Sequence, residues 1–186
     1  GIDAVYSGSQ KCLSCVPGLS PISFSDRAAE IIKNRKDTVQ SWFLDQSLVM
    51  GYWSGDGKRS YHHTAPVNSL YALHESLVML QNEGLENSWA RHKAQHEKLA
   101  TGLEALGISF VVPAGERLPQ LNTVHIPEGV DDAKVRQFLL NEYNLEIGAG
   151  LGQFAGNAWR IGLMGYAARN ENVLLCVSAL KEALAQ

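Results

Sequence analysis

Cysteine is scarce: the 186 residues contain three, at positions 12, 15 and 176. A count so low and odd excludes a disulfide-built scaffold and points to a reducing, cytoplasmic setting. Cys12 and Cys15 are spaced as C-x-x-C, but a redox pair of that kind wants a helix N-terminus to stabilise its thiolate. Pro17-Gly18 interrupts any such helix, and a zinc site needs more ligands close by. Both cysteines are therefore read as small buried residues. Net charge is also small, −3, which leaves no electrostatic case for nucleic acid or an anionic membrane as partner. No apolar run is long enough to span a bilayer, and no basic-then-apolar N-terminus marks a signal peptide. Repeats, low-complexity tracts and coiled-coil heptads are missing too. What is there, 45% hydrophobic and 19% charged residues, fits a globular chain with an ordinary core.

The pattern along the chain is mixed α/β. Residues 3–6 and 20–24 read as strands, the first of them buried, and Ser25 or Asp26 caps a helix to about Arg35. Residues 36–65 are of mixed character, rich in aromatics, with a turn at Gly55-Asp56-Gly57. Leu70, Leu73, Leu77 and Leu80 form one apolar helical stripe, ended by Gly84. A second helix runs to Leu106, with Leu99 and Leu103 on its apolar face, and Gly107 stops it. Strands are expected at 108–112, 120–126, 145–147 and 158–164. Asp131 or Asp132 caps a helix whose Val135, Phe138 and Leu139 face a core, and Asn170 caps a last helix with Val173, Val177, Leu180 and Leu184. Gly84 is the natural boundary. Residues 85–186 make a credible small α+β domain. Residues 1–84 have too few elements to close a core and read as the end of a larger domain whose earlier part is absent, in keeping with Gly1 and no initiator Met.

Three stretches have chemical potential. Lys11 ends the run Ser7-Gly8-Ser9-Gln10. A lysine among small residues suits Schiff-base chemistry, which needs an amine able to lose its proton and attack a carbonyl; a solvated lysine at a strand end is the plain alternative. Tyr61-His62-His63-Thr64 precedes the leucine-striped helix and suits phosphate binding by hydroxyls and helix amides. The adjacent histidines are read as structural and not as a metal site, because neighbours in extended chain point opposite ways. Trp159-Arg160-Ile161-Gly162-Leu163-Met164-Gly165 places an arginine inside an apolar strand. Its fork wants either a substrate carboxylate or an internal Asp or Glu. Gly150-Leu151-Gly152-Gln153-Phe154-Ala155 imitates a dinucleotide fingerprint, but a strand and not a helix is expected after it. The glycine loop borders a site or is a plain connection.

Taken in order, SGSQK followed closely by PG, then YHHT, GLENSW, RLP and WRIGLMG resemble the class V, fold-type I pyridoxal-phosphate aminotransferases, and within them the alanine–glyoxylate and serine–pyruvate group. The resemblance covers the whole chain. It implies that Lys11 forms the Schiff base with pyridoxal 5'-phosphate and that Gln10 contacts the cofactor. It implies that Tyr61 and Thr64 reach the cofactor phosphate of a neighbouring subunit, so a homodimer, and that Arg160 binds the substrate carboxylate. The activity implied is transfer of an amino group from a small amino acid, alanine or serine, to glyoxylate or pyruvate. Family subunits are about twice this long. By that measure residues 1–84 are the end of the large domain and 85–186 the small domain. The glycine-rich phosphate cup, the stacking aromatic and the aspartate for the pyridine nitrogen are not in this sequence. Rival readings are transamination of an aromatic amino acid such as 3-hydroxykynurenine, a desulfurase for which no loop cysteine stands out, and an inactive fragment serving folding or dimerisation.

Overall fold

The computed structural model describes residues 1–53 and 60–186, and the expected turn at Gly55-Asp56-Gly57 lies outside them. The chain divides into two compact units, residues 1–10 with 15–75 and residues 11–14 with 76–186.

In the first unit, β1 (Ala4–Tyr6) pairs antiparallel with β2 (Ile22–Phe24), Val5 opposite Ser23. All of β1 is exposed, so the buried strand read from the sequence is not buried here. Ser25 caps α1 (Asp26–Lys33), its Oγ accepting from the Ala28 N–H at 3.2 Å. The same hydroxyl donates to Asp3 at 2.8 Å, and Asp3 forms an ion pair with Arg27 that holds its carboxyl below the usual range. After α2 (Gln46–Trp53) comes α3 (Val67–Glu83), the helix of the leucine stripe. Its period is as read, but Leu70 and Leu77 are 45% and 46% exposed. An amphipathic period tells that a face is apolar; no described residue covers much of this one.

The second unit holds the core. Gly84 joins α3 to α4 (Leu85–Ala105) without a loop. Then follow β3 (Leu121–His125), α5 (Asp132–Tyr143), β4 (Gly148–Ala149), β5 (Ala158–Gly162) and α6 (Asn170–Ala183). The sheet order is β3-β5-β4, with both pairings antiparallel. The helix α6 packs on α4 and α5. Leu99, Leu103, Val124, Leu139, Trp159 and Leu180 are each at most 1% exposed. Full burial of such side chains contributes roughly 1.5–3 kcal/mol apiece, and the unit's stability rests there.

Several expected boundaries move. The strand at 108–112 reduces to one bridge, Phe110 with Val124, before Pro113 and a 3₁₀ turn lead the chain away. The strand at 145–147 falls instead at Gly148–Ala149. Asn144 ends α5 in the left-handed region and Leu145 N–H still bonds Leu139 O at 3.1 Å, so these residues complete the helix end. Ile147 fills the core. Asn170 is the first residue of α6 and not its cap; Arg169 stands at the cap with no side-chain bond, while Asn170 accepts from Lys98 at 2.9 Å. Among the cysteines Cys12 is exposed, Cys15 half-buried and Cys176 buried, which corrects the reading of 12 and 15. Burial pushes the Cys176 thiol up to about 12, because the thiolate has no solvent there. Among the described residues no helix is long and apolar enough to cross a membrane.

One polar tie joins α5 to β5. Trp159 Nε1 donates to Asp132 Oδ1 at 2.9 Å, and Arg136 forks onto the same carboxylate at 2.7 and 3.1 Å. The Arg136 guanidinium, with burial opposing and Trp159 assisting, holds Asp132 below the ordinary carboxylate range. Asp132→Asn is expected to cost about 1–2 kcal/mol near neutral pH. Because the folded value is depressed, the wild-type advantage is full above the unfolded value of 3.8 and is lost as pH falls through the lower folded value. Urea unfolding of both proteins from about pH 2.5 to 6 checks the sign; a gap that widens in acid contradicts it.

Candidate active site

Small residues shape the approach to Lys11. Ser9 is fully buried, its Oγ donating to Val16 O at 2.7 Å while its N–H bonds Leu19 O at 3.2 Å. The Gln10 side chain folds over Gly8, where a Cβ would stand 2.8 Å from Gln10 Oε1. Lys11 then opens a tight turn closed by the Ser14 N–H on Lys11 O at 2.9 Å. The Lys11 side chain is exposed, and no described residue pairs with its amine. An exposed amine at the mouth of a turn, with no carboxylate against it among the described residues, is sterically open to a carbonyl, as nucleophilic attack requires.

The Tyr61 and Thr64 hydroxyls are brought together, 2.5 Å apart, both exposed and just ahead of α3. Between them the two histidines behave unlike the sequence reading. Their rings face each other, with Nδ1 atoms 2.8 Å apart. His62 is buried, stacks on Trp42 at 4.0 Å and bonds the Trp42 carbonyl through Nε2 at 3.1 Å. That carbonyl makes Nε2 the donor, so His62 Nδ1 accepts from His63 Nδ1–H. The pair pins the segment that presents the two hydroxyls. Among the described residues no three metal-ligating side chains converge.

Arg160 lies in β5, opposite Thr123 on β3 and Gly148 on β4. It is half-buried, and its Nε donates to Ala149 O at 2.7 Å. No acidic side chain among the described residues reaches it. Of the two partners left open by the sequence, the internal carboxylate is thus not found, and the terminal nitrogens remain available to an anion. The guanidinium lies flat on Gly148, where an added Cβ would come 3.3 Å from one terminal nitrogen. Lys11 and Arg160 belong to the same compact unit. The glycine loop makes a 3₁₀ turn, Gly152–Phe154, and then β5; no helix starts there, as a dinucleotide site demands.

Sequence reading missed three contributors. Gly148 was legible as part of a glycine run but not as the floor under Arg160. Ser14 carried no local signal and Gly165 was read only as the end of the Arg160 motif, since their meeting is a contact between residues far apart in the chain.

The profile of the aminotransferase class-V family matches residues 1–171, and the chain belongs to that family. It is 46% identical to the alanine–glyoxylate aminotransferase of Callithrix jacchus, covering 99% of this chain and 45% of that relative. The solved alanine–glyoxylate aminotransferase of Nostoc sp. superposes with a TM-score of 0.93 at 48% identity, over 99% of this chain and 48% of that one. The ureidoglycine–glyoxylate aminotransferase of Bacillus subtilis superposes at 0.94 with 38% identity, over 99% and 47%. The chain spans about half the length of the curated relatives it matches.

The lack of an acidic partner for Arg160 among the described residues makes a prediction about stability. Removing an arginine from a buried ion pair costs about 3–5 kcal/mol; among the described residues Arg160 has a carbonyl acceptor, Ala149 O, and no carboxylate. Arg160→Met is expected to cost about 1 kcal/mol, measured by urea unfolding. A loss in the ion-pair range points to an internal carboxylate partner.

Proposed function

We propose that this chain forms part of a homodimeric, pyridoxal-phosphate-dependent aminotransferase. The reaction is transfer of an amino group from a small amino acid such as alanine or serine to a 2-oxo acid such as glyoxylate or pyruvate, in the cytoplasm. Residues 1–84 are taken as the end of the large domain and residues 85–186 as the small domain. The observation that carries the reading is a Lys11 amine and an Arg160 fork that no acidic side chain among the described residues fills, in a chain of the class-V family.

The residues present fit the cofactor. The adjoining Tyr61 and Thr64 hydroxyls suit a phosphate, in the partner subunit's site, and Gln10 stands beside Lys11. Bound pyridoxal phosphate supplies the electron sink for the substrate's Cα electrons. Lys11 Nζ would hold the cofactor and, once free of it, would take and return the substrate's Cα proton. Arg160 accepts the substrate carboxylate in its fork, which orients the Cα–H bond and distinguishes 2-amino acids from simple amines.

Borohydride reduction of the full-length protein with pyridoxal phosphate, followed by peptide mapping, is expected to fix one pyridoxyl group on Lys11. No adduct there in a folded protein ends the assignment. The isolated 186-residue chain is expected to turn over alanine and glyoxylate barely or not at all. Arg160→Lys keeps the charge but loses the fork; its KM for alanine is expected to rise about tenfold or more, with smaller change in kcat. Assays with serine, alanine and an aromatic donor rank the amino donors.

A further inference from the structure

Cys12, Leu13 and Ser14 follow Lys11 directly, and Gly165 and Tyr166 follow the Arg160 strand within a few residues. The two segments meet. Ser14 Oγ accepts the Tyr166 N–H at 2.7 Å. Gly165 has φ +56, and a Cβ there would stand 1.9 Å from Ser14 Oγ and 2.8 Å from the Cys12 carbonyl oxygen. Glycine is thus required both by the left-handed backbone and by the close approach. Ser14 is itself left-handed, φ 61. A non-glycine residue in that region is strained and persists where its surroundings over-determine it.

The far side of Gly165 is fixed just as firmly. Its N–H donates to Nε2 of the buried His92 at 2.9 Å. His92 Nδ1 donates to Ser88 O at 2.6 Å, which leaves Nε2 as the acceptor. The Gly165 and Ala168 carbonyls accept from one Arg91 nitrogen at 2.8 and 2.9 Å. Glu83 grips Arg91's other two nitrogens at 2.5 and 2.9 Å. The turn after β5 is therefore a rigid mount, and Ser14 is the link from the Lys11 turn to it.

We propose that Ser14 is a positioning residue: through the Tyr166 N–H it ties the Lys11 turn to the end of the Arg160 strand and sets the span between the cofactor-bearing amine and the carboxylate-binding guanidinium. The inference rests on the roles given above to Lys11 and Arg160. An amino-acid substrate would have to be placed against both groups at once, its amine toward Lys11 and its carboxylate toward Arg160. An error in that span spoils alignment without touching either group. A cavity of about 250 Å³ beside the tie, lined by Cys12, Met79, Arg91 and Arg169 among others, gives the turn room to shift once the hydroxyl is removed.

Two reagents separate positioning from general loosening in the full-length holoenzyme. Aminooxyacetate carries a carboxylate for Arg160; O-methylhydroxylamine does not, and both displace Lys11 from the cofactor with a change in absorbance. In Ser14→Ala the aminooxyacetate rate is expected to fall about tenfold, the size of one lost hydrogen bond, along with kcat/KM for alanine. The O-methylhydroxylamine rate should stay within about twofold of wild type. Ser14→Asn should restore most of the loss, since asparagine accepts the left-handed region and offers an acceptor oxygen. Equal slowing of both reagents, slowing of neither, or no rescue by asparagine overturns the positioning role while borohydride still labels Lys11. Failure to label Lys11 in the wild type removes the underlying assignment as well.

Discussion

A half-buried guanidinium, Arg160, sits in the middle strand of a small sheet, and no acidic side chain among the described residues neutralises it. Much of the second unit answers that constraint. A buried charge with no partner is costly, and Arg160 is spared most of the cost by partial exposure and one carbonyl, Ala149 O. Its arm needs a flat bed, and β4 consists of Gly148 and Ala149. Side chains alternate along a strand, so Trp159 and Ile161 point to the other face, where both are buried in the core. The residues sharing a face with Arg160, Ala158 and Gly162, are small. The strand thus separates a hydrophobic anchor from a half-buried guanidinium within five residues, and the Trp159–Asp132–Arg136 tie fixes the anchor's indole edge.

The helices with long apolar periods and marked stops were the most legible part of the sequence, whereas α2 (Gln46–Trp53) lies in a stretch read only as of mixed character. Each of the first two caps was narrowed to two neighbours, Ser25 or Asp26 and Asp131 or Asp132, and the first of each pair is the cap, because a side-chain oxygen three residues before an unpaired N–H is a local event. The cap at Asn170 failed because a tertiary partner, Lys98, claims that side chain. Short strands were less legible. Residues 108–112 have strand composition, but pairing is a property of two segments, and here it lasts for one bridge. Burial was the least legible: the leucine period along α3 is real, yet period reports polarity and not what lies against it.

For the candidate site the sequence supplied residue types and their order, and the resemblance supplied roles. It could not decide between a substrate and an internal carboxylate for Arg160, because that depends on what lies across the sheet. Nor could it foresee the facing imidazoles of His62 and His63. Alternation along an extended chain predicts that they diverge, but the stacking of His62 on Trp42 turns its ring back toward its neighbour.

Gly165 has a consequence at the level of the gene. Every L-amino acid other than glycine brings a Cβ, and at this position that atom lands 1.9 Å from Ser14 Oγ. All missense changes at the codon therefore begin from the same collision, whatever side chain they encode. Position 165 has no mild neighbour in sequence space, so drift can pass through it by silent change alone unless the segment carrying Lys11 changes in step.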